Sequence, residues 1–420
     1  MLYWLGVVAF ALAILISVSL HELGHMLTAK GFGMKVSRYF VGFGPTIFSF
    51  QKGETEYGLK AIPLGGFCKI VGMTPQDDDV APEDQPRAMW RYPVWKRTIV
   101  MSAGSITHFM LAAVAAYFAA ISLGLPNTAY PQTDADTLAE KPVITITECT
   151  WINLPTTQQE CVPGQNGAIA GPAYAAGLRD GDLITRVGDT PITTYGQLTE
   201  AIRALPAGAV PVEYQRNGAT ATANVDLVAA QRAPITDSEG ATTTVSVAGV
   251  GWDQRSVPTM IEYGPVEAVG ATADYGWFLV ERTFEAMKRI PDKIPALWNS
   301  ITGSERDPET PISVVGASRL GGEAIENGVP ELFLNIFISL NVFIGIFNLL
   351  PLLPLDGGHI AISWYERVRS WLYARFRKPD PGRVDYYKLM PVTYAVILIG
   401  GAFTLLTVTA DIINPITIFK

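Results

Sequence analysis

Residues 1–28 read MLYWLGVVAFALAILISVSLHELGHMLT, an almost uninterrupted apolar run that closes on His21-Glu22-Leu23-Gly24-His25. On a helix, histidines at i and i+4 share a face. They can grip Zn²⁺ there, with the glutamate between them placed as general base. A five-residue pattern also arises by chance on structural helices. Inside a run of membrane-spanning length chance is a poor account, because imidazoles and a carboxylate are expensive at that depth unless they pair or bind something.

Working outward, the chain has 420 residues, 49% hydrophobic and only 17% charged, with a mean hydropathy of +0.23. That balance suits a polytopic membrane protein carrying a sizeable soluble portion. Four stretches, 2–28, 99–123, 332–355 and 391–413, are long and apolar enough to span a bilayer. No basic residue precedes Lys30, so the first run lacks the charged start of a signal peptide and reads as an uncleaved span.

Lysine and arginine set the orientation. Ten lie between Lys30 and Arg97 and seven between Ser363 and Lys388, whereas the 206 residues from Leu125 to Pro330 hold 13, against 25 acidic ones. The first two segments are expected in the cytoplasm and the long one outside, with both termini outside. The expected order is a first span with HExxH (1–29), a membrane-associated β region and loop (30–96) and a second span (97–124). An extracytoplasmic domain (125–255), an amphipathic juxtamembrane segment (256–330) and a third span (331–362) follow. A cytoplasmic basic loop (363–389), a fourth span (390–414) and a short external tail (415–420) complete it. The net charge of −8 comes largely from the external part and argues against a nucleic-acid partner. Cys149 and Cys161 both fall outside, where a disulfide persists, and Cys68 falls on the cytoplasmic side as a free thiol.

A catalytic zinc takes three protein ligands and keeps one position for water. The chain has four histidines: His21, His25, His108 and His359. A third histidine extending the motif would stand at position 31, where Gly31 is found, so the third ligand is distant. The third span ends Asn348-Leu349-Leu350-Pro351-Leu352-Leu353-Pro354-Leu355-Asp356-Gly357-Gly358-His359. Asp356, ionisable at the end of an apolar segment, is a functional candidate by position alone. The prolines and the glycine pair break the helix, and irregular backbone at that depth survives only inside protein or beside a wet cavity. Both motifs lie at similar depth near the cytoplasmic face, so the two ends can meet.

HELGH in the first span and Asn-x-x-Pro with Leu-Asp-Gly in the third resemble the site-2 protease family of intramembrane zinc metalloproteases. The segments Val41-Gly42-Phe43-Gly44-Pro45, Ala61-Ile62-Pro63-Leu64-Gly65-Gly66-Phe67 and Pro311-Ile312-Ser313-Val314-Val315-Gly316 are similar to its bacterial branch, the actinobacterial Rip-type and RseP-type enzymes. The resemblance implies His21, His25 and Asp356 as zinc ligands, Glu22 as the catalytic glutamate, and Asn348 as a residue that holds the substrate or polarises its carbonyl. It also implies single-pass membrane substrates already shortened outside, such as anti-sigma factors. The family has Gly-Pro-x-x-Asn in span two where this chain has Gly104-Ser105-Ile106-Thr107-His108. His108 then replaces the asparagine as an interhelical hydrogen-bonding group or acts nearer the zinc. His359 is a neighbour of the site, a solvated helix-end group or, less in keeping with the motif, a ligand.

Residues 36–50 and 57–71 flank the turn-like Gln51-Lys52-Gly53-Glu54 and read as a membrane-associated β-hairpin that can add a strand to an extended substrate. The acidic, proline-rich stretch 74–86 reads as a linker. Pro172–Ile192 resembles the core of a bacterial PDZ domain: a short helix ended by Gly177, a Gly181-Asp182 turn into a strand, a helix over 197–205 and a strand over 210–216. The usual peptide-carboxylate loop is missing around Cys149–Gly167, so a steric gate over the site is as good a reading as a peptide groove. Residues 268–301 pattern as an amphipathic interfacial helix. Arg367, Arg369, Arg375, Arg377 and Lys378, with Trp371 and Phe376, form a juxtamembrane basic cluster drawn to anionic lipid.

The expectation is an α-helical polytopic membrane protein with four transmembrane helices, a membrane-associated β-hairpin and an extracytoplasmic α+β PDZ-like domain. It is embedded in the plasma membrane and acts as a Zn²⁺-dependent endopeptidase on single-pass proteins. Two rivals remain: a non-catalytic PDZ-type scaffold with structural zinc, and a peptidase of signal-peptide remnants.

Overall fold

The structure, a computed structural model, describes residues 1–73, 80–131, 133–153, 160–235 and 241–419. Part of the linker read at 74–86 lies outside them. The chain forms two compact units, Met1–Pro126 with Met260–Lys420, and Asn127–Thr259.

The chain begins with α1 (Leu2–Gly31). Its outer faces keep Trp4, Leu5, Val8, Leu12 and Ile16 exposed, as lipid-facing side chains should be, while Phe10, Ser17, His21 and His25 are buried. The strands β1 (Val36–Lys52) and β2 (Thr55–Ile70) follow. Each long strand bends, so residues 36–41 pair with 66–70 and, over 38–41, also with 56–59, while 43–52 pair with 55–62. The bends fall where Gly42, Gly44 and Gly65 take φ of +88°, +80° and +131°, a region that side chains avoid. Helix α2 (Val94–Ser122) packs through Ala112, Ala116 and Ala120, small residues that let helices approach without a water-driven force. The strand β3 (Leu125–Pro126) ends this stretch.

In the second unit α3 (Asp134–Ala139), β4 (Val143–Ile146), β5 (Cys149–Trp151), β6 (Ala168–Ala170), α4 (Pro172–Ala175), β7 (Asp182–Val187) and β8 (Thr190–Pro191) come first. Then come α5 (Tyr195–Ala204), β9 (Gly208–Arg216), β10 (Ala219–Arg232), β11 (Thr243–Val247) and β12 (Val250–Trp252). The main sheet runs β11-β10-β9-β7-β4-β12, with β8 beside β7. Ile144, Leu178, Ile184, Leu198 and Val225 form its core beneath α5. Asp182 is fully buried and fixes the turn into β7: it accepts from the Arg179 backbone N–H at 2.8 Å and takes Arg216 through two bonds of 2.7 Å. Cys149 and Cys161 are joined by a disulfide with Cα atoms 5.9 Å apart.

The first unit resumes at β13 (Met260–Ile261), paired with β3. It continues through α6 (Glu267–Ile301), α7 (Val314–Glu326), α8 (Pro330–Asn348), α9 (Asp356–Arg375) and α10 (Met390–Ile413). Helices α1, α2, α8 and α10 are long and apolar enough to cross a membrane. α7 lies against α1 where Gly6 meets Gly321 and Gly322; a Cβ on Gly6 would stand 2.9 Å from the Gly321 carbonyl oxygen. The N-terminus of α7 is held by Asp411 of α10, which accepts from the Ser313 backbone N–H at 2.6 Å and pairs with buried Arg306 at 2.8 Å. Helix α8 ends at Asn348, and α9 starts at Asp356 and runs well into the stretch read as a basic loop. The break is confined to Leu349–Leu355. Gly357 and Gly358 permit it: a Cβ on either would collide with the backbone of residues 349–353.

Candidate active site

Two turns of α1 and the first residue of α9 build a cluster of three donors. The i, i+4 spacing stacks His21 and His25 on the buried face of α1, with their Nε2 atoms 3.1 Å apart. Asp356 Oδ2 lies 3.3 Å from each of those nitrogens. Among the described residues these three alone form a metal-holding group, all donor atoms within 4.8 Å of one another.

The residues fit zinc. Zinc–ligand bonds of about 2.0–2.1 Å at tetrahedral angles separate neighbouring ligand atoms by about 3.3–3.4 Å, and the observed separations of 3.1, 3.3 and 3.3 Å match. Asp356 Oδ2 is buried with no hydrogen-bond donor of its own, which is costly unless a cation takes its lone pair. His25 Nδ1 donates to the Val100 carbonyl at 2.7 Å. That bond leaves the Nε2 lone pair facing the cluster, as metal-ligating histidines are oriented.

Helix α2 is shaped to admit this group. Gly104 faces the His21 ring, and a Cβ there would stand 2.5 Å from Nε2 and 2.6 Å from Nδ1. Gly24 does the same on the other helix, where a Cβ would stand 2.6 Å from Thr107 Oγ1. One cavity is lined by Val18, His21, Glu22, His108, Ile344, Asn348, Pro354, Leu355 and Asp356. Glu22 and Asn348 thus open onto the same space as two of the three donors, His21 and Asp356. The hairpin borders it as well: a Cβ on Gly66 would lie 3.5 Å from Glu22 Cγ, and Tyr39 Oη donates to the Ser19 carbonyl at 2.7 Å.

His108 is in the cavity wall, outside the donor cluster, its ring centroid 5.0 Å from that of His21. Its Nδ1 lies 2.8 Å from Asn341 Oδ1 and 3.1 Å from Ser17 Oγ, and Ser17 also donates to Asn341. The Asn341 amide nitrogen donates to the Phe337 carbonyl, which turns Oδ1 toward the histidine. So His108 ties three spans together. Ser17 and Asn341 were not singled out in the sequence. Each carries a signal, since Ser17 is one turn before His21 and Asn341 two turns before Asn348 on a mostly apolar helix. His359 stacks on Tyr386, ring centroids 5.9 Å apart, and stands outside the cluster.

Two histidines and one carboxylate with converging donor atoms, and a glutamate lining the same cavity, are the arrangement of a zinc peptidase, here built on helices of membrane-spanning length. Comparison with known proteins agrees. The model of Peptidase family M50 matches residues 9–378. Zinc metalloprotease Rip1 of Mycolicibacterium smegmatis is 43% identical over 426 residues, covering all of both chains. Rip1 of Mycobacterium tuberculosis is 41% identical over 420 residues, again the full length of both. A putative zinc metalloprotease of Rhizobium meliloti is 28% identical over 379 residues, 88% of each chain. The chain belongs to peptidase family M50, the site-2 protease family, and is a zinc metalloprotease.

Proposed function

We propose that this protease cleaves single-pass membrane proteins within or near their transmembrane segment, after their ectodomains have been shortened, and releases a cytoplasmic fragment. Anti-sigma factors are substrates of that kind. The observation that carries the reading is the convergence of His21, Asp356, Glu22 and Asn348 on one cavity among apolar helices, with His25 completing the donor cluster at its wall. The distribution of lysine and arginine supports an orientation with this cavity toward the cytoplasm and residues 127–259 outside the plasma membrane.

In this reading His21, His25 and Asp356 hold the zinc, which when bound lowers the pKa of water and polarises a carbonyl. Glu22 takes the proton of the attacking water and returns it to the leaving nitrogen. Asn348, at the end of α8, hydrogen-bonds the substrate backbone. A transmembrane helix hides its own amides, so the substrate has to be unwound locally. Residues 66–70 of β2 are paired on one side by 36–41 and run past Glu22. Their other edge is suited to hold an extended segment by strand addition. We assign the PDZ-like unit, tethered by the chain at both ends, the role of barring bulky ectodomains.

A scaffold with structural zinc would close its site with a fourth ligand, and the donor cluster has three members among the described residues. The test uses purified full-length protein with single-pass substrates, intact and shortened, and with signal-peptide remnants. Cleavage of shortened substrates should stop with a zinc chelator. It should also stop in Glu22→Gln, which retains its zinc because the ligand set is untouched. Near-normal cleavage by Glu22→Gln would refute the assignment. Turnover of remnants alone would shift the substrate class.

A further inference from the structure

Helix α9 opens on Asp356 and runs 20 residues to Arg375, about 30 Å at 1.5 Å per residue. One side is buried. Ser363 and Glu366 face inward, and Glu366 accepts from the Val384 backbone N–H at 2.9 Å and pairs with Arg97 at 3.5 Å. The opposite side is apolar and open. Trp364, Tyr365, Val368, Trp371, Leu372 and Phe376 are 47, 58, 50, 61, 40 and 71% exposed. At 100° per residue they fill a single stripe about 140° wide.

Arg367 and Arg369 border this stripe, Arg375 stands at its end, and Arg377 and Lys378 follow. The guanidinium of Arg369 lies over the Tyr365 ring at 5.4 Å. Apart from Asp356, the helix has one acidic residue, Glu366, and it is turned inward. The open face therefore combines tryptophan, tyrosine and aliphatic side chains with positive charge alone. In sequence it lies between α8 and α10, so both ends of the segment are held at a membrane surface by their spans.

We propose that this face of α9 is seated in the interface of a leaflet rich in anionic phospholipid. Its arginines meet phosphates, and its aromatic and aliphatic side chains lie among the first acyl carbons. Charge complementarity and continuity with the spans favour lipid over a soluble partner. The inference rests on α1, α2, α8 and α10 being spans and on the orientation proposed above; it does not depend on proteolysis. Because Asp356 is the first residue of the same helix, the leaflet then anchors one end of the element whose other end joins His21 and His25.

The test is a depth measurement on full-length protein. Val368→Cys in a Cys68→Ser background is labelled with an environment-sensitive fluorophore and placed in single-copy nanodiscs. One set holds phosphatidylcholine alone, the other includes about 30% phosphatidylglycerol. With phosphatidylglycerol the emission should shift to the blue, and lipids spin-labelled near the headgroup should quench it at least about twofold more than in phosphatidylcholine. Combined Arg367→Gln, Arg369→Gln, Arg375→Gln and Arg377→Gln, or about 0.5 M salt, should remove most of that difference. A control label at Asp380→Cys should stay open to aqueous quencher throughout. A Val368 label that stays in water in both discs overturns the proposal. So does one equally buried in both, or one buried only when two copies share a disc.

Discussion

Replacing Gly104 by alanine adds a methyl group where the His21 ring stands. The new Cβ would lie 2.5 Å from Nε2, against the 3.4 Å at which ordinary contact begins, so ring or helix must give way by roughly 1 Å. Metal–ligand distances in genuine sites fall within about 0.2 Å of their ideal values, so a His21 ring moved by about 1 Å no longer shares the metal with His25 and Asp356 in the observed geometry. Stability responds in the other direction as well. Alanine is favoured over glycine in a helix interior by about 1 kcal/mol, and overpacking costs about 1–3 kcal/mol. The net loss is therefore small, about 0–2 kcal/mol, while the metal site is disproportionately damaged. The expected result for Gly104→Ala is a folded protein with a near-normal melting temperature, zinc occupancy reduced at least tenfold at limiting metal, and peptidase activity down by about 100-fold or more. Metal analysis, thermal unfolding and cleavage of a shortened substrate measure these separately. Full zinc occupancy with full activity would mean that α1 and α2 do not meet through Gly104 and His21. Global unfolding would mean that the methyl group is resisted by the whole helix pair and not relieved at the ring.

Asp356→Ala should lose zinc and activity together, whereas His359→Ala should keep part of both; the reverse ranking would make His359 the third ligand. Without reductant, Cys149 and Cys161 should resist alkylation as a disulfide. Cys68 should react slowly, because burial, with the Glu22 charge beside it, pushes its thiol up to about 12. Its thiolate fraction should rise about tenfold per pH unit through the alkaline range, since each unit stays below the pKa. Prompt labelling of all three thiols at neutral pH would sink both statements. Deleting residues 168–227 and closing the gap with a flexible linker should let the enzyme cut substrates with intact ectodomains while shortened ones are still cut. Loss of cleavage of shortened substrates, with zinc retained, would assign that unit to recruitment instead.

Much of the architecture was legible because it rests on one-dimensional signals. Runs of apolar residues give α1, α2, α8 and α10, and the glycine at Gln51–Glu54 gives the turn between β1 and β2. The i, i+4 histidines and a lone carboxylate at the end of an apolar stretch give the donor cluster. What stayed hidden depends on which faces of separate helices meet. Ser17, His108 and Asn341 each stand out as polar in an apolar run, but nothing in the chain order says that they share one hydrogen-bonded knot. The bends of β1 and β2 were hidden for a similar reason: glycine marks where a strand can turn, not which segment it then pairs with. In α9 the basic and aromatic composition suggested a loop. The spacing Trp364, Val368, Trp371, Leu372 was the helical signal, masked by the arginines set between those residues.

The bond from His25 to Val100 has a consequence for how this site withstands mutation. The group that fixes the imidazole's orientation is a main-chain carbonyl, present whatever side chain stands at residue 100. No single codon change can delete it, unlike a carboxylate or amide partner contributed by a side chain. Substitutions at that position alter the side chain but not the acceptor, which is lost only if the helix itself moves. The orientation of one metal-facing imidazole is thus insulated from chemical drift at residue 100 of the second span.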